Sequence, residues 1–304
     1  MQLFGSGNVG CGNATNSYNT INVNKTDDED NQIRQWLSPL EPQNRHRGVQ
    51  ADRVSGVGGW LLETKEFREW SGSEGESEQS VLFCYGDPGV GKTHIRSVRK
   101  VSNKRTSLKD RNISSLVIDW LCDQVGKRDI AVAGLYCDHF DQKGQSTTNM
   151  LGAILKQLLE RDGIPEPLRQ VFHKGKRGFG GRAVQILDLV EMLKTMIAQL
   201  PEVFICIDGL DECLPKNRRE LLESLQNIVQ AAPTMRMFLS GRPHIQDEVK
   251  RYFTGIIIIA VIPTIEDIER YLEMRLDKDP TPSAMDDNLR ADIMRVIPRK
   301  ISQM

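Results

Sequence analysis

Val81-Leu82-Phe83-Cys84-Tyr85 runs without a break into Gly86-Asp87-Pro88-Gly89-Val90-Gly91-Lys92-Thr93. The first five residues form an uninterrupted apolar run, the pattern of a strand buried on both faces. The next eight satisfy G-x-x-x-x-G-K-[ST], the phosphate-binding P-loop pattern. The residue types follow from the chemistry. Gly86, Gly89 and Gly91 carry no Cβ, so the backbone can turn sharply and aim its N–H groups at phosphate oxygens. Lys92 offers an ammonium to the β and γ phosphates, and the Thr93 hydroxyl is suited to ligate Mg²⁺. A helix opening here adds its positive end. A glycine-rich turn that fits the pattern by chance needs no strand before it, and this one has one.

A second stretch answers the first. Val203-Phe204-Ile205-Cys206-Ile207 is again continuously apolar and ends at Asp208, followed by Gly209-Leu210-Asp211-Glu212. An acid at the tip of such a strand, downstream of a P-loop, is the Walker B arrangement that holds Mg²⁺. Met235 to Ser240 reads as a further strand and ends at Gly241-Arg242-Pro243, which puts a guanidinium at a strand tip. Residues 131–137 and 256–262 complete the strand candidates. Amphipathic patterns fall between them, at Ile113 to Val125, Thr147 to Glu160 and Val184 to Leu200. Strands alternating with helices predict an α/β fold, a parallel sheet covered on both faces, with ligands at the carboxyl ends of the strands. Gly86, Asp208 and Arg242 all fall at such ends.

The flanks are simpler. Residues 1–30 are rich in Gly, Asn, Ser and Thr and read as a disordered tail. Within them Gly5-Ser6-Gly7-Asn8-Val9-Gly10 fits G-x-G-x-x-G, but no strand precedes it and no βαβ unit surrounds it, so it is not a dinucleotide site. Asp27 to Asp30 gives an acidic start to a short helix through Trp36-Leu37, stopped at Ser38-Pro39. Residues 41–58 read as irregular, and a single helix with Trp60, Leu61, Phe67 and Trp70 inward follows. Residues 71–80 form an acidic linker, and 163–182 a solvated helix and loop. Beyond Pro263, Ile265 to Leu276 and Ala284 to Ile297 read as helices, with the pattern still running at Met304. The expected division is therefore a tail at 1–30, a helical lead-in at 31–80, the P-loop domain at 81–262 and the start of a truncated helical subdomain at 263–304. One segment is out of keeping. Residues 94–112 hold seven Lys or Arg with few apolar residues, placed between Thr93 and the helix that should begin there.

Composition narrows the function. A net charge of −1 gives no reason to expect nucleic acid or an anionic membrane as partner. The longest apolar run is strand-sized, no signal peptide is apparent, and the six cysteines lack metal-ligand spacing. The expectation is a cytoplasmic protein.

The segments 86–93, 205–215 and Leu239-Ser240-Gly241-Arg242-Pro243 together resemble the NACHT class of STAND signalling P-loop NTPases. More closely, they are similar to the nephrocystin-like N-terminal domains of fungal NOD-like receptors of the NACHT–ankyrin type, with Trp36 to Pro42 and Gly59 to Glu63 alike as well. The resemblance implies a sheet ordered 5-1-4-3-2 and a switch driven by ATP or GTP with Mg²⁺. It gives Asp208 the metal, Asp211 or Glu212 the attacking water, and Arg242 the γ-phosphate. It also implies self-association or a signalling partner reached through the tail, whose Asn-rich composition suits cross-β stacking. In the family, Gly-Lys-Thr runs almost directly into a helix like Ile113 to Asp119, so 94–112 reads as an insertion. Three functions remain open: a nucleotide-switched signalling module, an interaction fragment of such a receptor without nucleotide binding, and a metabolic P-loop kinase. The last lacks any visible second substrate site.

Overall fold

The computed structural model describes residues 27–72, 79–86, 112–177, 183–278 and 285–301. Helix α1 covers 27–37. It is followed by α2 (Pro42–Asp52), α3 (Trp60–Glu63), α4 (Lys65–Trp70) and strand β1 (Val81–Tyr85). Then come α5 (Asn112–Gln124), β2 (Ile130–Tyr136), α6 (Thr147–Asp162), α7 (Glu166–Arg177) and α8 (Ile186–Ile197). The chain continues through β3 (Glu202–Asp208), α9 (Pro215–Ala231), β4 (Met235–Gly241), α10 (Gln246–Tyr252), β5 (Ile257–Ala260), α11 (Ile265–Asp277) and α12 (Asp287–Ile301).

The five strands form one sheet in the order β2-β3-β4-β1-β5, with every pairing parallel. Counted from the other edge this is 5-1-4-3-2, the expected order. The period-two alternation of a strand explains why the runs are continuously apolar. In β1, Val81 and Phe83 enter one core while Leu82 and Cys84 enter the other. In β3, Val203, Ile205 and Ile207 face the first core, and Phe204 and Cys206 the second. The larger core lies under α1, α6, α7, α8, α9 and α10. The smaller is closed by α3, α4 and α5, where Trp70 is fully buried against Phe67, Phe204 and Phe238. β2 is an edge strand, and the Gln157 amide covers it by accepting from Gly134 N–H and donating to Gly134 C=O, both at 3.0 Å.

Two segments depart from expectation. Residues 41–58, read as irregular, contain helix α2. Only Pro42 of this helix is buried, so no apolar stripe marks it. Polar contacts dock it instead: Arg45 pairs with Asp138 at 2.6 Å, and His46 lies between Tyr136 Oη (2.6 Å) and Asp119 (2.9 Å). The single helix expected over 60–70 is two. Thr64 stands between them in extended conformation, accepts from Phe67 N–H at 3.2 Å and donates to Leu61 C=O at 2.7 Å. It is the N-cap of α4, and Thr64→Ala should cost about 1 kcal/mol in denaturant unfolding with an unchanged slope. Past the sheet, α11 docks on the lead-in loop, where the buried Asp267 carboxylate accepts Gly58 N–H at 3.1 Å. α12 packs against α11.

Candidate functional site

Parallel register brings the exits of four strands together. Tyr85 of β1 stands opposite Gly241 of β4, Ile207 of β3 opposite Leu239, and Tyr136 of β2 opposite Asp208. β2, β3 and β4 each leave the sheet through a short 3-10 turn or reach one within three residues, at His139–Asp141, Leu210–Glu212 and Pro243–Ile245. Of the residues expected at the site, Gly86, Asp208, Asp211, Glu212 and Arg242 lie in this cluster of exits, and Gly86 is buried. Asp87, Pro88, Gly89, Val90, Gly91, Lys92 and Thr93 lie outside the described residues.

Asp208 is 5% exposed, and its Oδ1 accepts two hydroxyls: Ser114 Oγ at 2.5 Å and Ser240 Oγ at 2.6 Å. Ser114 belongs to the first turn of α5, so this bond brings the N-terminal end of a 13-residue helix to the tip of β3. Ser240 also accepts Gly209 N–H at 3.0 Å. Gly209 has φ +71°, which turns the chain directly after Asp208 and is accessible to glycine without strain. The following turn is fastened on both sides. Asp211 accepts Arg242 N–H at 3.2 Å and pairs with Arg242 Nε at 3.0 Å, tying it to the exit of β4. Glu212 accepts His139 N–H at 3.1 Å, tying it to the exit of β2.

Pairing of Asp211 with Arg242 was not visible in the sequence, where the two had separate roles. Neither was either serine. A hydroxyl directly before Gly241-Arg242 at a strand tip was the only local signal for Ser240, and Ser114 sits in an otherwise ordinary amphipathic pattern.

The donor set fits a hard cation. Carboxylate and hydroxyl oxygens suit Mg²⁺, which takes one or two protein carboxylates and completes its shell with phosphate and water. Among the described residues no group of three or more His, Cys, Asp or Glu could hold a metal. Two of the nearby thiols, Cys137 and Cys206, are held in the protonated form. Cys137 and Cys213 share a hydrogen bond between their sulfurs at 3.0 Å, and this bond together with burial pushes Cys137 well above the usual thiol range. Burial likewise raises Cys206. Both stay protonated at neutral pH and pack as small apolar groups.

A parallel sheet in this order, with an acid at the tip of β3 and the P-loop strand β1 leaving the same end of the sheet one strand away, defines a P-loop NTPase fold. The chain belongs to the Nephrocystin 3, N-terminal family, whose model matches residues 56–106 and 112–242. No curated protein sequence matches it. Among solved structures, Cdc6p from Pyrobaculum aerophilum is similar at 14% identity and a TM-score of 0.45, covering 79% of this chain and 52% of that one. Drosophila ORC bound to DNA is similar at 16% identity and a TM-score of 0.41, covering 72% and 49%. The chain thus spans about half the length of these two structures. The fold assignment rests on the sheet and the family match. Among the described residues no helix is long and apolar enough to cross a membrane.

Proposed function

We propose that this chain is a nucleotide-binding signalling switch of the NACHT type, taking Mg-ATP or Mg-GTP at the P-loop and hydrolysing it slowly. The observation that carries this reading is the Asp208 cluster: a buried carboxylate at the tip of β3, bonded to the first turn of α5, at the same end of the sheet as Gly86 with β4 between them. In this reading the amides of 86–93 cradle phosphate, Lys92 neutralises its charge, and Thr93 and Asp208 hold the cation. A Mg²⁺ held there would supply positive charge that offsets the phosphates. Arg242 is 34% exposed and paired with Asp211. A γ-phosphate competes for this guanidinium, and its capture frees Asp211 to orient water. Glu212 keeps the turn on the exit of β2. Resemblance to fungal NOD-like receptors supports the signalling role, with the tail at 1–30 as the route to a partner or a second copy.

A second reading is a receptor fragment that binds no nucleotide. The family match runs on through residues 94–106 and breaks only at 107–111, and that break inside the basic segment is the ground for this reading. Deleting residues 95–112 decides between the two. With the segment as an insertion in a working site, removal tightens nucleotide binding and raises the melting temperature in Mg-nucleotide, because a ligand stabilises the state it binds. Equal affinity with and without the segment makes it a tolerated loop. If neither form binds, the chain is an interaction fragment.

A further inference from the structure

Ser114 lies outside every motif assigned above, yet it makes one of the shortest hydrogen bonds at the site. It is 1% exposed, and its hydroxyl reaches Asp208 Oδ1 at 2.5 Å, a length typical of strong bonds to a charged acceptor. Ser240 donates to the same oxygen from β4 at 2.6 Å and is itself held by Gly209 N–H. Two elements therefore converge on one carboxylate oxygen, α5 and β4, and the left-handed turn after β3 braces the second hydroxyl.

We propose that Ser114 is a positioning residue for the divalent cation, fixing the rotation of the Asp208 carboxylate from the first turn of α5. This rests on the nucleotide reading and deepens its metal half. Mg²⁺ demands near-octahedral geometry and gives up water reluctantly, so an acid free to turn about its side-chain torsions is a poorer ligand. Partners that orient a ligating group typically contribute 10–100-fold to metal affinity. Contacts from loop amides and Lys92 to phosphate do not pass through Asp208. Loss of Ser114 should therefore weaken the cation's grip and leave metal-free nucleotide binding alone.

The experiment uses the full chain and a fluorescent ATP analogue, bound first in EDTA and then across a Mg²⁺ titration. Ser114→Ala should match wild type in EDTA and need about tenfold more Mg²⁺ at the midpoint. Ser114→Thr, which keeps the hydroxyl, should restore the wild-type midpoint. A merely structural role would shift both conditions together, and that result, or an unchanged Mg²⁺ midpoint in Ser114→Ala, overturns the proposal. Should Ser114→Ala fail to melt cooperatively, Ser240→Ala removes the other hydroxyl from the same oxygen and carries the same expectation and the same refutation. A wild-type chain that binds no nucleotide is a separate failure, since it removes the nucleotide reading itself.

Discussion

Gly152→Ala is expected to destabilise the protein by about 3 kcal/mol, the upper end of what forced overpacking costs. Gly152 lies in α6, where the end of α1 crosses it. A Cβ built there would stand 2.0 Å from the Leu37 carbonyl oxygen and 2.8 Å from its carbon. Both are backbone atoms, so no side-chain rotation relieves the contact. The crossing is also tied by Ser38, whose hydroxyl donates to Asn149 C=O at 2.7 Å and accepts Leu40 N–H at 3.1 Å. One methyl group must push α1 away and uncover Ile33 and Leu37, both now buried in the larger core. Against a typical total stability of about 5–15 kcal/mol this is a severe loss. Chemical denaturation reads it directly, and limited proteolysis should show new cleavage between residues 27 and 41. A variant with the wild-type midpoint and a protected α1 would mean that the two helices do not pack this closely.

Lys92→Ala is expected to lower triphosphate affinity by about 30-fold or more. Truncating one partner of a charge-assisted contact in a phosphate site costs roughly 2–5 kcal/mol, and each 1.4 kcal/mol is about a factor of ten. No other cation in the motif substitutes for it, since residues 86–93 contain no second Lys or Arg. The basic residues of 94–112 are the nearest alternative in sequence, but they lie outside the motif whose spacing brings a lysine to the phosphates. A fluorescent nucleotide bound equally well by wild type and Lys92→Ala would show that the phosphate site lies elsewhere.

The sheet was legible because its physics is local. Each strand is a short apolar run, and β1, β3 and β4 end in Gly86, Asp208 or Gly241-Arg242, so the runs announce both a parallel sheet and the edge that matters. Strand order came from resemblance, since no periodicity records which strand lies beside which. Helix α2 was illegible because it is polar on nearly every face and is held by partners far away in sequence, such as Tyr136 and Asp138. The chemistry of the site was partly legible for the same reason. Asp208 is marked by its position at a strand tip. Its two hydroxyl donors are not, because Ser114 and Ser240 reach it only once α5 and β4 are folded against β3. The Asp211–Arg242 pair likewise joins two exits whose adjacency is a property of the sheet.

The most direct measurement is a calorimetric titration of the purified full chain with ATP and with GTP, each with Mg²⁺ and in EDTA. Saturable binding of one nucleotide per chain, weakened when the metal is removed, is the expected result. No binding of either nucleotide under any of these conditions, for the full chain and for the chain lacking residues 95–112, would contradict a nucleotide switch.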